Sequence, residues 1–242
     1  MTERIYRETP VETNLAKSLE IANGIHLIPR VRGANVYLVK SDSGIVVVDT
    51  GLPGNADKIL DYVQSIGCHP SDIKTIVLTH SDMDHVGSVA RLKEETNAKV
   101  AIHEADAPRL SGEKEPKKVK GILGVFLRVI GPFMRFTRVR ADVLLKDSDT
   151  IDGLTVIHTP GHTDGSICLY LPGQAIFVGD ALLTDSERML TLPRRSMSVD
   201  MNQGKESIKK LSMLNYSVLL PGHGPPIEQN AYTVTKEFVA RL

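Results

Sequence analysis

The sequence contains no tryptophan, and aromatic residues make up only 5% of its 242 residues. Proteins that hold single-stranded nucleic acid stack the bases on aromatic side chains, and this chain offers few of them. It also lacks an excess of either charge, because 29 basic residues balance 29 acidic ones. Nucleic acids attract basic surfaces, so both observations argue against a nucleic-acid partner.

Cysteines and long apolar runs are scarce as well. Cys68 and Cys168 lie far apart and form no CxxC pattern, which predicts two reduced, buried thiols. No apolar run approaches the roughly 18 residues of a membrane span. The start, MTERIYRETPVETN, lacks the apolar core of a secretory signal. We therefore expect a cytoplasmic protein without membrane contact.

The chain length suits one α/β domain spanning residues 1–242. Short apolar runs alternate with helical spacing, and the first of them form a βαβ pattern. Predicted strands cover residues 24–30, 34–40, 44–50, 74–79, 99–103, 154–159, 166–171, 175–178 and 216–220. Predicted helices cover residues 55–66, 86–95, 203–214 and 231–242.

Histidines and aspartates follow four of these strands. They are His80, Asp82, Asp84 and His85 in THSDMDH, His162 in TPGHTDGS, Asp180 in VGDA, and His223 in LPGHGPP. A lone HxDxDH is as consistent with a solvated turn whose acids cap a helix as with a metal site. The complete set, at the ends of strands that share one sheet edge, favours a site for divalent ions that activate water.

In this order, THSDMDH, TPGHTDGS, GD and PGHG resemble the motifs of the metallo-β-lactamase-fold hydrolases, over roughly residues 24–225. The resemblance implies a four-layer αββα sandwich of the α/β (α+β) class with two metal ions at one edge. It implies ligands in two sets and a bridge: His80, Asp82 and His162 for the first ion, Asp84, His85 and His223 for the second, and Asp180 between them. It also implies that the nucleophile is hydroxide shared by the ions and oriented by Asp84, so Asp84 and Asp180 are the expected catalytic residues.

One position departs from the pattern. Most members have HxHxDH, whereas this chain has Asp82 in place of the second histidine. The resemblance implies zinc, but a carboxylate is a harder ligand and favours iron or manganese at the first site. The alternative is that Asp82 points away and that only one site fills.

Residues 105–141 interrupt the strand pattern with a basic and apolar insert. Seven basic residues and no acid lie between Glu115 and Asp142, namely Lys117, Lys118, Lys120, Arg128, Arg135, Arg138 and Arg140. The insert is consistent with a helical pair packed on the domain or on a second subunit, with a lid, or with a membrane-surface helix. Gly131-Pro132 would break one long helix, which favours a helical hairpin lid. A lid with Phe126, Phe133, Met134 and Phe136 would select a substrate with an apolar acyl part.

The leading functional hypothesis is metal-dependent hydrolysis of a small-molecule ester, thioester or lactone. Thioester cleavage of the glyoxalase II type and lactone opening are both consistent with these residues. The alternatives are an iron-dependent oxidoreductase resembling persulfide dioxygenases, a phosphodiesterase or nuclease, and a non-enzymatic relic of the fold. All seven positions retain metal-competent side chains, which argues against the relic. The oligomeric state, including a homodimer, stays open.

Four further histidines have weaker expectations. His26 and His158 lie within predicted strands, which favours packing roles or a hydrogen bond to a ligand residue, whereas His69 lies in a GCHP turn. His103 ends a strand at the edge that carries His80, so it is a weaker candidate for the substrate pocket.

Overall fold

The structure, a computed structural model, describes residues 19–119, 121 and 136–242. A first sheet has seven strands in chain order: β1 (Glu20–Ala22), β2 (Ile25–Leu27), β3 (Tyr37–Ser41), β4 (Gly44–Val48), β5 (Ile73–Leu78), β6 (Lys99–His103) and β7 (Val143–Leu145). Neighbours pair antiparallel from β1 to β4 and parallel from β4 to β7.

A second sheet has five strands in the order β14-β11-β10-β9-β8. They are β8 (Thr150–Ile151), β9 (Leu154–His158), β10 (Ile167–Leu171), β11 (Ala175–Gly179) and β14 (Val218–Pro221). Strands β11 and β14 run parallel, and the other pairs are antiparallel. A small separate hairpin joins β12 (Leu183–Thr184) and β13 (Leu190–Thr191).

Helices cover the outer faces of both sheets. They are α1 (Ala56–Ser65), α2 (Met83–Val86), α3 (Val89–Thr96), α4 (Ala107–Ser111), α5 (Met201–Lys209) and α6 (Ala231–Val239). Ile59 and Leu92 pack with Ile76 on the first sheet, and Ile208 packs with Ile176 on the second. The predicted four-layer αββα sandwich is confirmed.

Successive side chains along a strand point to opposite faces, and in the first sheet both faces are covered by apolar side chains. In β4, Val46 and Val48 face the second sheet, whereas Ile45 and Val47 face the helices. Both faces are therefore apolar, which explains the continuous β-branched run in the sequence. Between the sheets, the rings of Tyr37 and Phe177 meet edge to face at 5.5 Å.

Three predicted elements differ from the observed ones. The strand predicted at 24–30 is one arm of a hairpin that turns at Gly24 with a φ of +71°. The helix predicted at 86–95 is split into α2 and α3 at Gly87, where a Cβ would lie 2.4 Å from the backbone nitrogen of Pro53. The helix predicted at 203–214 ends at Lys209 and continues as a 3-10 turn, Lys210–Met213.

The described part of the insert, residues 105–119, 121 and 136–141, contains the short helix α4. The predicted helical hairpin and its Phe126, Phe133 and Met134 lie outside the described residues. Phe136 packs against the core under the helices of the first sheet, and the lid itself stays a prediction. In the ranges that the structure describes, no helix combines the length and apolarity needed to cross a bilayer.

Candidate metal centre

The loop after β5 carries four of the predicted ligands. His80 is fully buried, and Asp82 is the N-cap residue of the short helix α2. An N-cap aspartate usually accepts a hydrogen bond from the first helical turn, but the Asp82 carboxylate makes no such bond and faces the site instead. Asp84 and His85 lie in the helical turn that follows, with His85 fully buried.

Three more loops, which follow β9, β11 and β14 of the second sheet, reach the same edge of the sandwich, and each makes a close turn at glycine. His162 follows Gly161, whose φ is +143° and where a Cβ would lie 2.3 Å from the Cα of Gly204. Asp180 follows Gly179 at the end of β11, where φ is +47°. Only glycine suits these two positions, so backbones approach closely where ligands must converge.

The first predicted ligand set is assembled. Oδ2 of Asp82 lies 3.5 Å from Nε2 of His80 and 3.1 Å from Nε2 of His162. The rings of His80 and His162 are perpendicular, with centroids 4.8 Å apart. Asp82 therefore does not point away from the site, contrary to the alternative considered from the sequence.

The second set and the bridging position are assembled as well. Nε2 of His223 lies 3.2 Å from Oδ2 of Asp84, and the rings of His85 and His223 are 5.4 Å apart. Asp180 lies between the sets, with one oxygen 3.3 Å from Nε2 of His85 and the other 3.5 Å from Nε2 of His162. All seven predicted side chains thus meet, and within each group the ligand atoms lie within 4.8 Å of one another.

Three buried polar atoms in this cluster make no well-formed hydrogen bond, namely Nε2 of His80, Nε2 of His85 and Oδ1 of Asp180. The last two lie 3.3 Å apart as an ion pair, and the first lies 3.5 Å from the Asp82 carboxylate. An unpaired buried polar atom is costly and rare in proteins, so three of them at one spot indicate an external partner. Imidazole nitrogens and carboxylate oxygens are the donors that zinc and iron accept. The residues therefore fit divalent ions.

Opposite charges set the protonation of the cluster. Burial alone would raise the pKa of Asp180, but the imidazoles of His85 and His162 outweigh it, so the pKa lies below its usual range. Burial would also lower the pKa of His85, but Asp49 and Asp180 outweigh it and raise the pKa well above normal, so a divalent ion at Nε2 would have to displace a proton there. Burial does lower the pKa of His162, which leaves this imidazole neutral and able to donate a lone pair.

Asp49 is a site residue that the sequence reasoning missed. Its carboxylate accepts hydrogen bonds from the Thr79 backbone and hydroxyl, both at 2.8 Å, and lies 2.7 Å from Nδ1 of His85. It holds a left-handed backbone conformation, with a φ of +60°. The bond to Nδ1 orients His85 so that Nε2 faces the site. The sequence contained a pattern that could have identified it: Asp49 directly follows the apolar run IVVV, just as the metal-ligand residues follow apolar strands.

Asp106, also missed, joins two of the ligand loops. It is fully buried and accepts hydrogen bonds from the backbone of Ser81, beside His80, and from the hydroxyl of Thr163, beside His162. Arg109 pairs with it at 3.0 Å and reaches Asp164 at 2.6 Å. Because Asp106 binds both Ser81 and Thr163, the network fixes the distance between their neighbours His80 and His162. No sequence pattern marks it, since three of its partners, Ser81, Thr163 and Gly165, lie in loops distant in sequence.

Replacing Asp106 by alanine will therefore destabilise the fold strongly. The change leaves the buried Arg109 guanidinium with only one of its two carboxylate partners and leaves the N–H groups of Ser81 and Gly165 without their acceptor, a loss of about 3–5 kcal/mol. Urea unfolding will measure the free energy. Asp57→Ala is the control, because Asp57 forms an exposed ion pair with Arg91 at 2.8 Å, worth about 1 kcal/mol or less. Equal losses in both variants would contradict the bracing role of Asp106.

The remaining histidines lie outside the three ligand groups. The ring of His103 stacks on His158 at 3.9 Å, and Nε2 of His158 contacts the carbonyl of Asp164 at 3.0 Å. His158 thereby supports the loop of His162. Nδ1 of His26 contacts the Tyr62 hydroxyl at 3.0 Å, and His69 caps the 3-10 turn at Pro70–Asp72.

The chain is similar in sequence and in structure to several known proteins. YflN of Bacillus subtilis, a probable metallo-hydrolase, is 29% identical over 229 residues, which cover 86% of each protein. The acyl-coenzyme A thioesterase MBLAC2 of Bos taurus is 27% identical over 212 residues, 78% of this chain and 72% of that protein. The crystal structure of TTHA1623 in a di-iron-bound form is 30% identical, with a TM-score of 0.63 over 80% of this chain and 89% of that one.

The sequence model that describes the metallo-beta-lactamase superfamily matches residues 29–223. This span begins just after β2 and ends at His223, so it includes every residue of the candidate metal centre. The chain belongs to the metallo-beta-lactamase superfamily and is a hydrolytic enzyme of that superfamily.

Proposed function

We propose that the enzyme binds two divalent ions and cleaves the acyl bond of a small-molecule ester, thioester or lactone. The observation that carries this proposal is the convergence of seven ligand-type side chains. Three of them, His80, His85 and Asp180, each present a buried polar atom that makes no well-formed hydrogen bond. His80, Asp82 and His162 would hold the first ion, and Asp84, His85 and His223 the second. Asp180, which lies within 3.6 Å of imidazole nitrogens from both sets, would bridge them.

When bound, the two ions would supply activated water and polarise the substrate carbonyl. The protein itself would contribute a fixed negative charge, the Asp84 carboxylate, beside the reacting water. Burial would raise the pKa of Asp84, but the hydrogen bond from His223 and the charge of His85 together outweigh it and lower the pKa. Asp84 is therefore a carboxylate at neutral pH, able to accept a proton from water and to orient it. Asp49 and Asp106 act through His85 and through the loops of His80 and His162.

An acyl substrate is favoured by two observations. The side chains of Leu192, Pro193 and Met201 lie next to His162 and Asp180, so the surroundings of the centre include apolar groups. The relative MBLAC2 is an acyl-coenzyme A thioesterase, and we extend the acyl part of that activity to this chain. A thioester is therefore the first substrate class to test.

For the metal, we propose iron or manganese at the first subsite. Asp82 supplies a carboxylate where most members have histidine, and oxygen ligands favour these ions relative to zinc. The relative TTHA1623 has been crystallised in a di-iron-bound form. Zinc, which the motif resemblance implies, remains the expected competitor.

The test combines elemental analysis with substrate assays. Protein purified without added metal is analysed by mass spectrometry and then assayed with short-chain acyl thioesters, aryl esters and lactones. We expect hydrolysis in at least one acyl class, abolished by a chelator and restored by iron, manganese or zinc. Oxygen consumption with a persulfide, or cleavage of an aryl phosphodiester, without acyl hydrolysis would overturn the proposal in favour of those activities.

A further inference from the structure

Lys117 reaches into the first ligand set from the insert. Its Nζ lies 2.5 Å from Oδ2 of Asp82 and 2.5 Å from Nε2 of His162. The lysine side chain is only 5% exposed, so the charge is buried together with these two partners. Neither the motifs nor the proposed chemistry accounts for a lysine at this position.

Neighbouring contacts hold this part of the insert against the loop of His162. Asp164, two residues beyond His162, pairs with Arg109 at 2.6 Å and with Lys114 at 3.3 Å. Both basic residues precede Lys117 in the same insert. The approach of Lys117 to the site is thus part of a larger contact between the insert and the ligand loop.

The lysine and a metal ion would need the same atoms. A neutral imidazole has one nitrogen with a lone pair, and Nε2 of His162 cannot direct that pair at both an ammonium hydrogen and an ion. A divalent ion would lie roughly 2.0–2.2 Å from the same nitrogen and carboxylate oxygen. Lys117 must therefore leave before the first subsite can fill.

The second subsite differs in this respect. In residues 19–119, 121 and 136–242, no lysine or arginine forms an ion pair with Asp84, His85 or His223. The replacement of the usual second histidine by Asp82 is consistent with a lysine at the first subsite alone. A histidine there would offer no negative charge to an ammonium group, whereas the aspartate does.

We propose that Lys117 determines how the metal centre loads: its ammonium group competes with the first metal ion for Asp82 and His162, so the second subsite fills first and binds more tightly. This inference rests on the metal centre of the proposed function but not on its substrate. The two subsites are consequently unequal, and the insert sets the difference between them.

Metal-binding measurements test this without any turnover assay. Metal-stripped protein is titrated with Zn²⁺ by isothermal calorimetry, and ions retained after gel filtration are counted by mass spectrometry. Wild type should bind one ion tightly and a second one at least about tenfold more weakly. Lys117→Met should tighten the weak step by about tenfold or more and leave the tight step unchanged.

Lys118→Met is the matched control, because Lys118 is the exposed neighbour in the same segment. It should reproduce the wild-type titration. Lys117→Ala serves as a second variant, and circular dichroism establishes that each variant is folded. Two equally tight ions in wild type, or an unchanged weak step in both folded Lys117 variants, would overturn the inference while leaving the proposed hydrolase intact. Failure of wild type to bind any ion would overturn both.

Discussion

Replacing Asp180 by alanine will lower kcat by about a thousandfold or more, the scale of losing a preorganised electrostatic group from an active site. Among the residues that the structure describes, Asp180 is the one carboxylate whose oxygens lie within 3.6 Å of three imidazoles, those of His85, His162 and His223. Without it, neither proposed ion keeps its bridging ligand, and the buried His85 loses one of its two acidic partners. Steady-state kinetics on the best acyl substrate, together with metal counting, will measure both losses.

Two further variants make this result specific. Asp180→Asn keeps the shape of the side chain but removes its charge, so it should lose activity almost as severely while remaining folded. Asp42→Ala removes an exposed carboxylate on the β3–β4 turn and should behave as wild type. Wild-type kcat and metal content in Asp180→Ala would count decisively against the proposed mechanism.

The ligands were predictable because of where they stand in the chain. His80 and Asp180 follow continuous buried strands, and His162 and His223 follow strands that end in Pro-Gly. Strand periodicity and tight turns are local properties, so they can be derived without knowing tertiary contacts. The expectation that the ligands share one sheet edge was too simple, because His80 follows β5 of the first sheet whereas the other three loops follow strands of the second. Their convergence therefore depends on how the two sheets pack, which no local pattern gives.

The supporting residues depend on contacts that no local pattern encodes. Asp106 lies in a short loop before α4, and its role arises from backbone groups of Ser81 and Gly165. Lys117 was counted only as one charge among the basic residues of the insert. Its contact with Asp82 depends on how that segment folds over the site. Side chains that act through distant backbone leave little trace in the sequence around them.

The site contains two groups of residues, those that offer lone pairs to the ions and those that hold the first group in position. The seven ligand-type side chains supply lone pairs, whereas Asp49 and Asp106 fix the positions of the imidazoles and loops that present them. Orientation of this sort is commonly worth a factor of 10–100 in metal affinity. Space is the third requirement, since two sheets and several loops approach within van der Waals distance at the glycines.

Gly222 provides the sharpest test of that requirement. A Cβ at this position would lie 2.4 Å from Oδ1 of Asp180 and 2.8 Å from Cε1 of His85. The backbone of Gly222 is not in the left-handed region, so alanine brings a steric conflict rather than backbone strain. We expect Gly222→Ala to displace both side chains and to lower metal affinity and kcat by about 100-fold, the cost of a misplacement near 1 Å. Calorimetric titration with Zn²⁺ and steady-state kinetics will measure the two losses.

The same substitution should cost only about 1–3 kcal/mol of stability, since overpacking at one position is a local strain. The expected signature is thus a folded protein with a damaged metal centre, distinguishable from general unfolding by urea titration. Gly204→Ala is the matched control, because its Cβ would approach another residue no closer than 3.8 Å and it lies in helix α5. If Gly222→Ala bound metal as tightly as Gly204→Ala, then Asp180 and His85 would not be ligands held in place by this close approach, and the assignment of the centre would have to be abandoned.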